Sequence, residues 1–184
     1  MKQETTNEKQ DKMNKPTRPE AWLRGPLPDI PALLQPAAHA LIQAQEDTVR
    51  YMAGFPETLL WNRPVERASV GFHLQHLTGV LDRMLTYAKD KTLSEEQFAF
   101  LRAEGQPNPS ITVLQLLKAF EDKVKEALDY FKTLSPTELA QTRTVGRKKL
   151  PSTLIGLLFH AAEHNQRHVG QLLVTVSAVK AQHG

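Results

Sequence analysis

His160-Ala-Ala-Glu-His164-Asn-Gln-Arg-His168-Val-Gly-Gln171 is the stretch that decides how this 184-residue chain reads. Its three histidines recur every four residues, inside a pattern that otherwise reads as one long helix. At about 100° per residue, positions i, i+4 and i+8 form a slowly drifting stripe along one side. Leu157, His160, His164, His168, Gln171 and Thr175 fall on that stripe, flanked by Leu154, Ala161 and Leu172. The histidines are therefore expected on the face that a helical protein buries. A buried polar group without a partner costs about 1–3 kcal/mol. Core histidines hydrogen-bonded to backbone or water satisfy that demand. So does a divalent metal, because two histidines four apart on a helix can reach one ion.

Working outward, the composition leaves room for one domain with a real core. The hydrophobic fraction is 40%, the formal charge is +3 with mixed signs, and there is no cysteine. The last point excludes both a disulfide framework and a cysteine-based zinc site. No run of about 18 apolar residues exists, so no transmembrane helix is expected. The first ten residues lack an apolar h-region, so no Sec signal peptide is expected and cytoplasmic is the default compartment. No basic helix face or aromatic-interleaved patch suggests nucleic-acid binding.

Residues 1–20 are polar and nearly free of large apolar groups, which predicts a flexible tail ahead of a single domain over residues 21–184. The proline-broken stretch Trp22 to Pro31 reads as an extended lead-in anchored by Trp22, Leu23, Leu27 and Ile30. A first helix is expected from Pro31, with Leu34, Ala38, Leu41, Ile42, Val49 and Met52 on its apolar face, ending at Gly54 and Pro56. A second runs from about Val70 to Lys89. Ser94-Glu-Glu-Gln97 is a capping box opening a short helix over 95–104. A third long helix covers about Thr112 to Leu134, with Leu114, Leu117, Phe120, Val124, Leu128 and Phe131 buried. Ser135-Pro-Thr-Glu138 opens one further turn, Thr142 to Leu150 reads as a loop, and Pro151-Ser152 starts the histidine helix, which runs to about Ala178. No stretch reads as a strand. The fold class is all-α, a four-helix bundle, and bundles build metal sites from side chains on facing helices.

The second helix carries the other histidines. His73 and His76 lie along one edge of its apolar stripe, with Val80 and Arg83 continuing that edge. A three-histidine site drawn from this helix and the last one is geometrically reasonable. The segment Val70-Gly-Phe-His-Leu-Gln-His76-Leu-Thr-Gly-Val-Leu-Asp-Arg83 resembles the second-helix motif of DinB-like proteins. Glu163-His164-Asn-Gln-Arg-His168-Val-Gly-Gln171 is similar to their last-helix motif, and the resemblance spans about Pro31 to Val179. It implies the family's up-down-down-up bundle and a divalent metal, zinc or nickel, held by His76, His164 and His168. It also implies a small-molecule substrate. Members of established activity are metal-dependent thiol S-transferases using bacillithiol or mycothiol, with a related mycothiol-dependent isomerase; many others have no assigned activity. His73 and His160 are additional to that triad, as residues that support its ligands from one helical turn away, as alternative ligands, or as ordinary core histidines.

Three neutral imidazoles leave a metal its full charge, which favours a thiolate or lowers the pKa of water to about 7. Both S-transfer and hydrolysis follow from that, and without cysteine the thiol has to be a low-molecular-weight cosubstrate. His164-Asn-Gln-Arg-His168 lacks the glutamate of an H-E-x-x-H hydrolase motif, and Glu163 points about 100° away from His164. Three readings stay open: a thiol transferase, a metal-dependent hydrolase or isomerase, and a non-catalytic metal-binding bundle. Arg83 and Gln171 are candidate substrate contacts, against a structural ion pair and an inter-helix hydrogen bond. Asp82 shares Arg83's alternatives. The Arg147-Lys148-Lys149 cluster reads as a solvated basic loop or a phosphate attractor. A homodimer is a candidate assembly.

Overall fold

The structure is a computed structural model that describes residues 18–183. Up to residue 17 the expected flexible tail lies outside the described residues. The chain from 18 onward is predominantly helical. Five α-helices form in order: α1 (Gln35–Met52), α2 (Val70–Ala88), α3 (Glu95–Ala103), α4 (Val113–Lys132) and α5 (Leu154–His183). Between α4 and α5 stands a small antiparallel hairpin, β1 (Thr142–Val145) and β2 (Leu150–Thr153).

That hairpin corrects the expectation that no stretch is a strand and the reading of residues 142–150 as a loop, and leaves the chain predominantly helical. Each strand has four residues, with Thr142 opposite Thr153 and Val145 opposite Leu150. Four residues are too few for alternation to show in the sequence, and Pro151 argues against a strand unless it lies on an edge. Here both strands are edges. Gly146 and Lys149, at φ 69° and 48°, turn the chain between them. The expected helical turn at Ser135 is a hydrogen-bonded turn instead, with Glu138 accepting from the Ser135 backbone N–H and hydroxyl.

The helices begin where the sequence offers caps. Ser69 accepts from the Phe72 N–H at the start of α2, and Thr153 accepts from the Gly156 N–H at the start of α5. Ser94/Gln97 and Thr112/Gln115 each form a full capping box, opening α3 and α4. Such a cap contributes about 1 kcal/mol. The four long helices pack around one core. α5 contacts both α1 and α2, and α4 contacts the same two from the other side. Leu34, Leu41, Leu74, Leu77, Leu81, Phe120, Phe131, Leu154 and Leu158 are its largest fully buried members along with Leu60, Leu85 and Leu139.

The lead-in docks partly as expected, with Ile30 in the core and Leu27 packed against it. Trp22 and Leu23 are 63% and 57% exposed, whereas Ala21 and Ile30 are buried. Polar contacts supply the rest of the anchoring. Arg24 makes a two-pronged ion pair with Glu46, at 2.6 and 2.7 Å. Gln43 accepts from the Ala21 N–H, and Gln35 bonds both the N–H and the C=O of Leu27. Val49 and Leu114, expected on buried faces, are also exposed.

A candidate metal centre between two helices

α2 and α5 face each other, so the histidines of both are brought to one place. His76 Nε2 and His164 Nε2 stand 3.0 Å apart. The rings of His76 and His168 have centroids 4.4 Å apart, and those of His164 and His168 4.7 Å. Each of His76, His164 and His168 offers one nitrogen, and all three nitrogens lie within 4.8 Å of one another. This spacing could hold a metal ion. Nitrogens sharing a tetrahedral zinc, bound at about 2.0–2.1 Å, sit roughly 3.4 Å apart. Phe72 stacks on His76 at 5.2 Å and covers its outer face.

The residue that sequence reasoning missed is Glu104. Its carboxylate, 3% exposed, accepts from His76 Nδ1 at 2.6 Å through Oε2 and from Arg83 Nη1 at 2.6 Å through Oε1. Glu104 ends α3, and Gly105 follows with φ 80°. That left-handed turn directs the Gly105 N–H to Gln75 Oε1 on α2, at 2.7 Å. Gly79 makes room for the arrangement: an added Cβ would overlap Glu104 Oε1 and come within 2.8 Å of both Arg83 and Phe100. Nothing in the sequence ties Glu104 to a histidine 28 residues earlier. A lone acid at the end of a capped helix, just before a glycine, was the available hint.

This contact settles how His76 is presented. A carboxylate accepts, so Nδ1 carries the hydrogen and a neutral His76 has a bare Nε2 directed at His164. Two imidazole nitrogens 3.0 Å apart need a proton or a cation between them. The triad, all imidazole with one member pinned by a carboxylate, therefore has a donor set that fits a divalent metal.

The electrostatics agree with neutral His164 and His168. Burial, reinforced by the neighbouring His76, His164 and His73, pushes His168 down to about 4. Burial, then His76, lowers His164 as well. Burial alone would raise the Glu104 carboxyl, but hydrogen bonds from His76 and Arg83 outweigh it and hold it below the usual range. His164 Nδ1 is buried without a hydrogen-bond partner among the described residues.

The remaining expected residues separate. His73 is buried, its Nε2 3.3 Å from Thr175 Oγ1 and its Nδ1 3.4 Å from His168 Nδ1. It flanks the triad. His160 is exposed, correcting its placement on the buried face, and pairs with Glu163 at 2.8 Å. His160, Glu163 and His164 form a second group of suitable spacing, but Arg167 already holds both oxygens of Glu163 at 2.7 Å. Arg83 pairs with Glu104, and Asp82 with Gln97 and Lys123. Gln171 is exposed and lines a pocket beside His73. Arg147 lies over the Phe98 ring at 5.6 Å. No helix of the described residues is long and apolar enough to cross a membrane.

Comparison with curated proteins returns no match. A family model described as the DinB superfamily matches residues 40–172. That span contains all of α2 and the whole His160–Gln171 stretch, and it exceeds half of the chain: by this match the chain belongs to the DinB superfamily.

Proposed function

We propose that His76, His164 and His168 hold one divalent metal ion, zinc or nickel, and that the centre is catalytic. The favoured reaction is transfer from a low-molecular-weight thiol, of bacillithiol or mycothiol type, to a small electrophilic substrate. The observation that carries this reading is the convergence of three imidazole nitrogens without a carboxylate ligand among them. Such a metal, when bound, keeps its full charge and brings a thiol or water into the range where it ionises near neutral pH.

The chain's own residues do the rest. Glu104 holds the Nδ1 hydrogen of His76, keeping Nε2 free. Arg83 neutralises Glu104, so the carboxylate is not an uncompensated buried charge. His73 is turned toward Thr175 and does not supply a fourth nitrogen to the cluster, which favours an open coordination position over a closed structural one. The same open site would serve a metal-dependent hydrolase or isomerase, the second reading. The family also supplies the up-down-down-up order of the long helices, consistent with the 24-residue connection over 89–112. A cytoplasmic location and a homodimer complete the proposal.

The test is an assay of the metal-loaded protein with several thiols and a generic electrophile, a bimane or a chloro-nitro aromatic. Metal-dependent turnover with at least one thiol, lost in His164→Ala, is the expected result. Absence of thiol-dependent turnover together with metal-dependent ester hydrolysis would replace the transferase reading with the hydrolase one.

A further inference from the structure

His73 has a second neighbourhood, a pocket of about 560 Å³ that none of the three proposed ligands lines. Three features of its walls have no explanation in the fold. The first is Gly170, in the middle of α5. A glycine in a helix interior is less stable than alanine, and a close packing neighbour is the usual reason to keep one. Here an added Cβ would meet nothing within 4 Å, because the space beside Gly170 is the pocket. The second is the turn before Arg67. Val65 and Glu66 both have left-handed backbones, at φ 43° and 59°. A β-branched residue is a rare occupant of that region, and such strain persists where the surroundings impose it. This turn sets Arg67 on the pocket wall. The third is charge. Arg67 lines the pocket and no acidic residue does, Arg167 on the same wall being already paired with Glu163, while Ala68 and Val174 give it an apolar side. Its floor is the buried His73–Thr175 pair.

We infer that this pocket binds an organic carboxylate with a small apolar body, held at the Arg67 end and lying against the bare α5 backbone at Gly170. Its identification with the non-reacting, anionic part of the substrate rests on the proposed metal centre one side chain away, on the other side of His73. The carboxylate site itself does not depend on that centre. Any side chain at 170 would occupy the path of the ligand, which accounts for a glycine that packing does not require.

The experiment is a chemical-shift titration of the full chain with phenylacetate and with uncharged phenylacetamide, in metal-free and zinc-loaded forms. Wild type should bind the acid about fivefold more tightly than the amide in both forms, as one partly exposed charge pair allows. Arg67→Gln should bring that ratio to about one. Gly170→Ala should raise Tm by about 1–4 °C while weakening phenylacetate severalfold. A purely structural glycine would not couple higher stability to weaker binding. Equal binding of acid and amide by wild type, or unaltered affinity in Gly170→Ala, would overturn the inference. Metal content measured in the same samples keeps the two proposals apart. Acid preference in a protein that retains no zinc after loading leaves the pocket standing and removes the metal centre; retained zinc without acid preference does the reverse.

Discussion

Glu104 sits 2.6 Å from both His76 and Arg83, so replacing it tests how the site is held. Glu104→Gln cannot accept as a carboxylate from both, and a ligand that loses such a partner typically loses 10- to 100-fold in metal affinity. Competition titration with a zinc chelator should show a drop of about that size, and unchanged affinity would remove Glu104 from its positioning role. The buried histidines also make a pH prediction. Burial, then the neighbouring histidines, holds His168 and His73 at about 4, below the ordinary 6.5. With folded values depressed, the unfolded chain takes up protons first as pH falls. Stability of the metal-free protein is thus fully present above about pH 6.5 and is lost as pH drops toward 4. Tm measured at pH 7.5 and 5.0 should fall between the two, and fall less in His73→Gln; a flat profile would contradict the burial of these rings. At this scale the sequence exposed the ligand candidates through their four-residue spacing. It misplaced His160 because each four-residue step advances the stripe by about 40°, and over two steps the first histidine rotates off the buried face. Glu104 stayed hidden because only the packing of α3 against α2 brings it to His76.

Short helix α3 has no buried residue of its own, yet it delivers Glu104 into the site. Its stability depends on the Ser94/Gln97 capping box, so Ser94→Ala should destabilise the protein by about 1 kcal/mol and weaken metal binding as the Glu104 end loosens. Gly79 in α2 offers a sharper test. Alanine ordinarily stabilises a helix interior by about 0.5–1 kcal/mol relative to glycine. At Gly79 its methyl would collide with Glu104, Arg83 and Phe100, so Gly79→Ala should instead destabilise by about 1–3 kcal/mol. Thermal melts that show Gly79→Ala to be neutral or stabilising would mean that α3 does not pack there. The start of α3 was legible in the sequence because the Ser94/Gln97 box is a chemical signal read locally, whereas Ser69 and Thr112 show themselves as caps only in the structure. The hairpin was not legible. Its two strands are defined by pairing with each other, and nothing in Thr142–Val145 or Leu150–Thr153 alternates for long enough to announce it.

Across the whole molecule, the four long helices enclose one core, and the segment from Ala21 to Pro31 closes its edge through Ala21, Ile30 and the Arg24–Glu46 pair. A chain beginning at Pro31 should melt several degrees below one beginning at Pro19, by the usual scaling for a domain of this size. Equal melting temperatures would show that the lead-in only decorates the surface. Of the foreseen anchors Ile30 and Leu27 pack on the core but Trp22 and Leu23 do not: a large apolar side chain such as Trp22 is free to lie on the surface when small residues and ion pairs share the docking. Periodicity made the helical architecture readable, since apolar residues three and four apart need a common core. The convergence of α2 and α5 at His76, His164 and His168 depends on tertiary packing that periodicity leaves open. The central claim, that these three residues form a metal centre, is tested most directly by elemental analysis of protein purified without an affinity tag. The account predicts about one divalent metal ion per chain, lost in a folded His164→Ala variant; equal metal content in wild type and variant would contradict it.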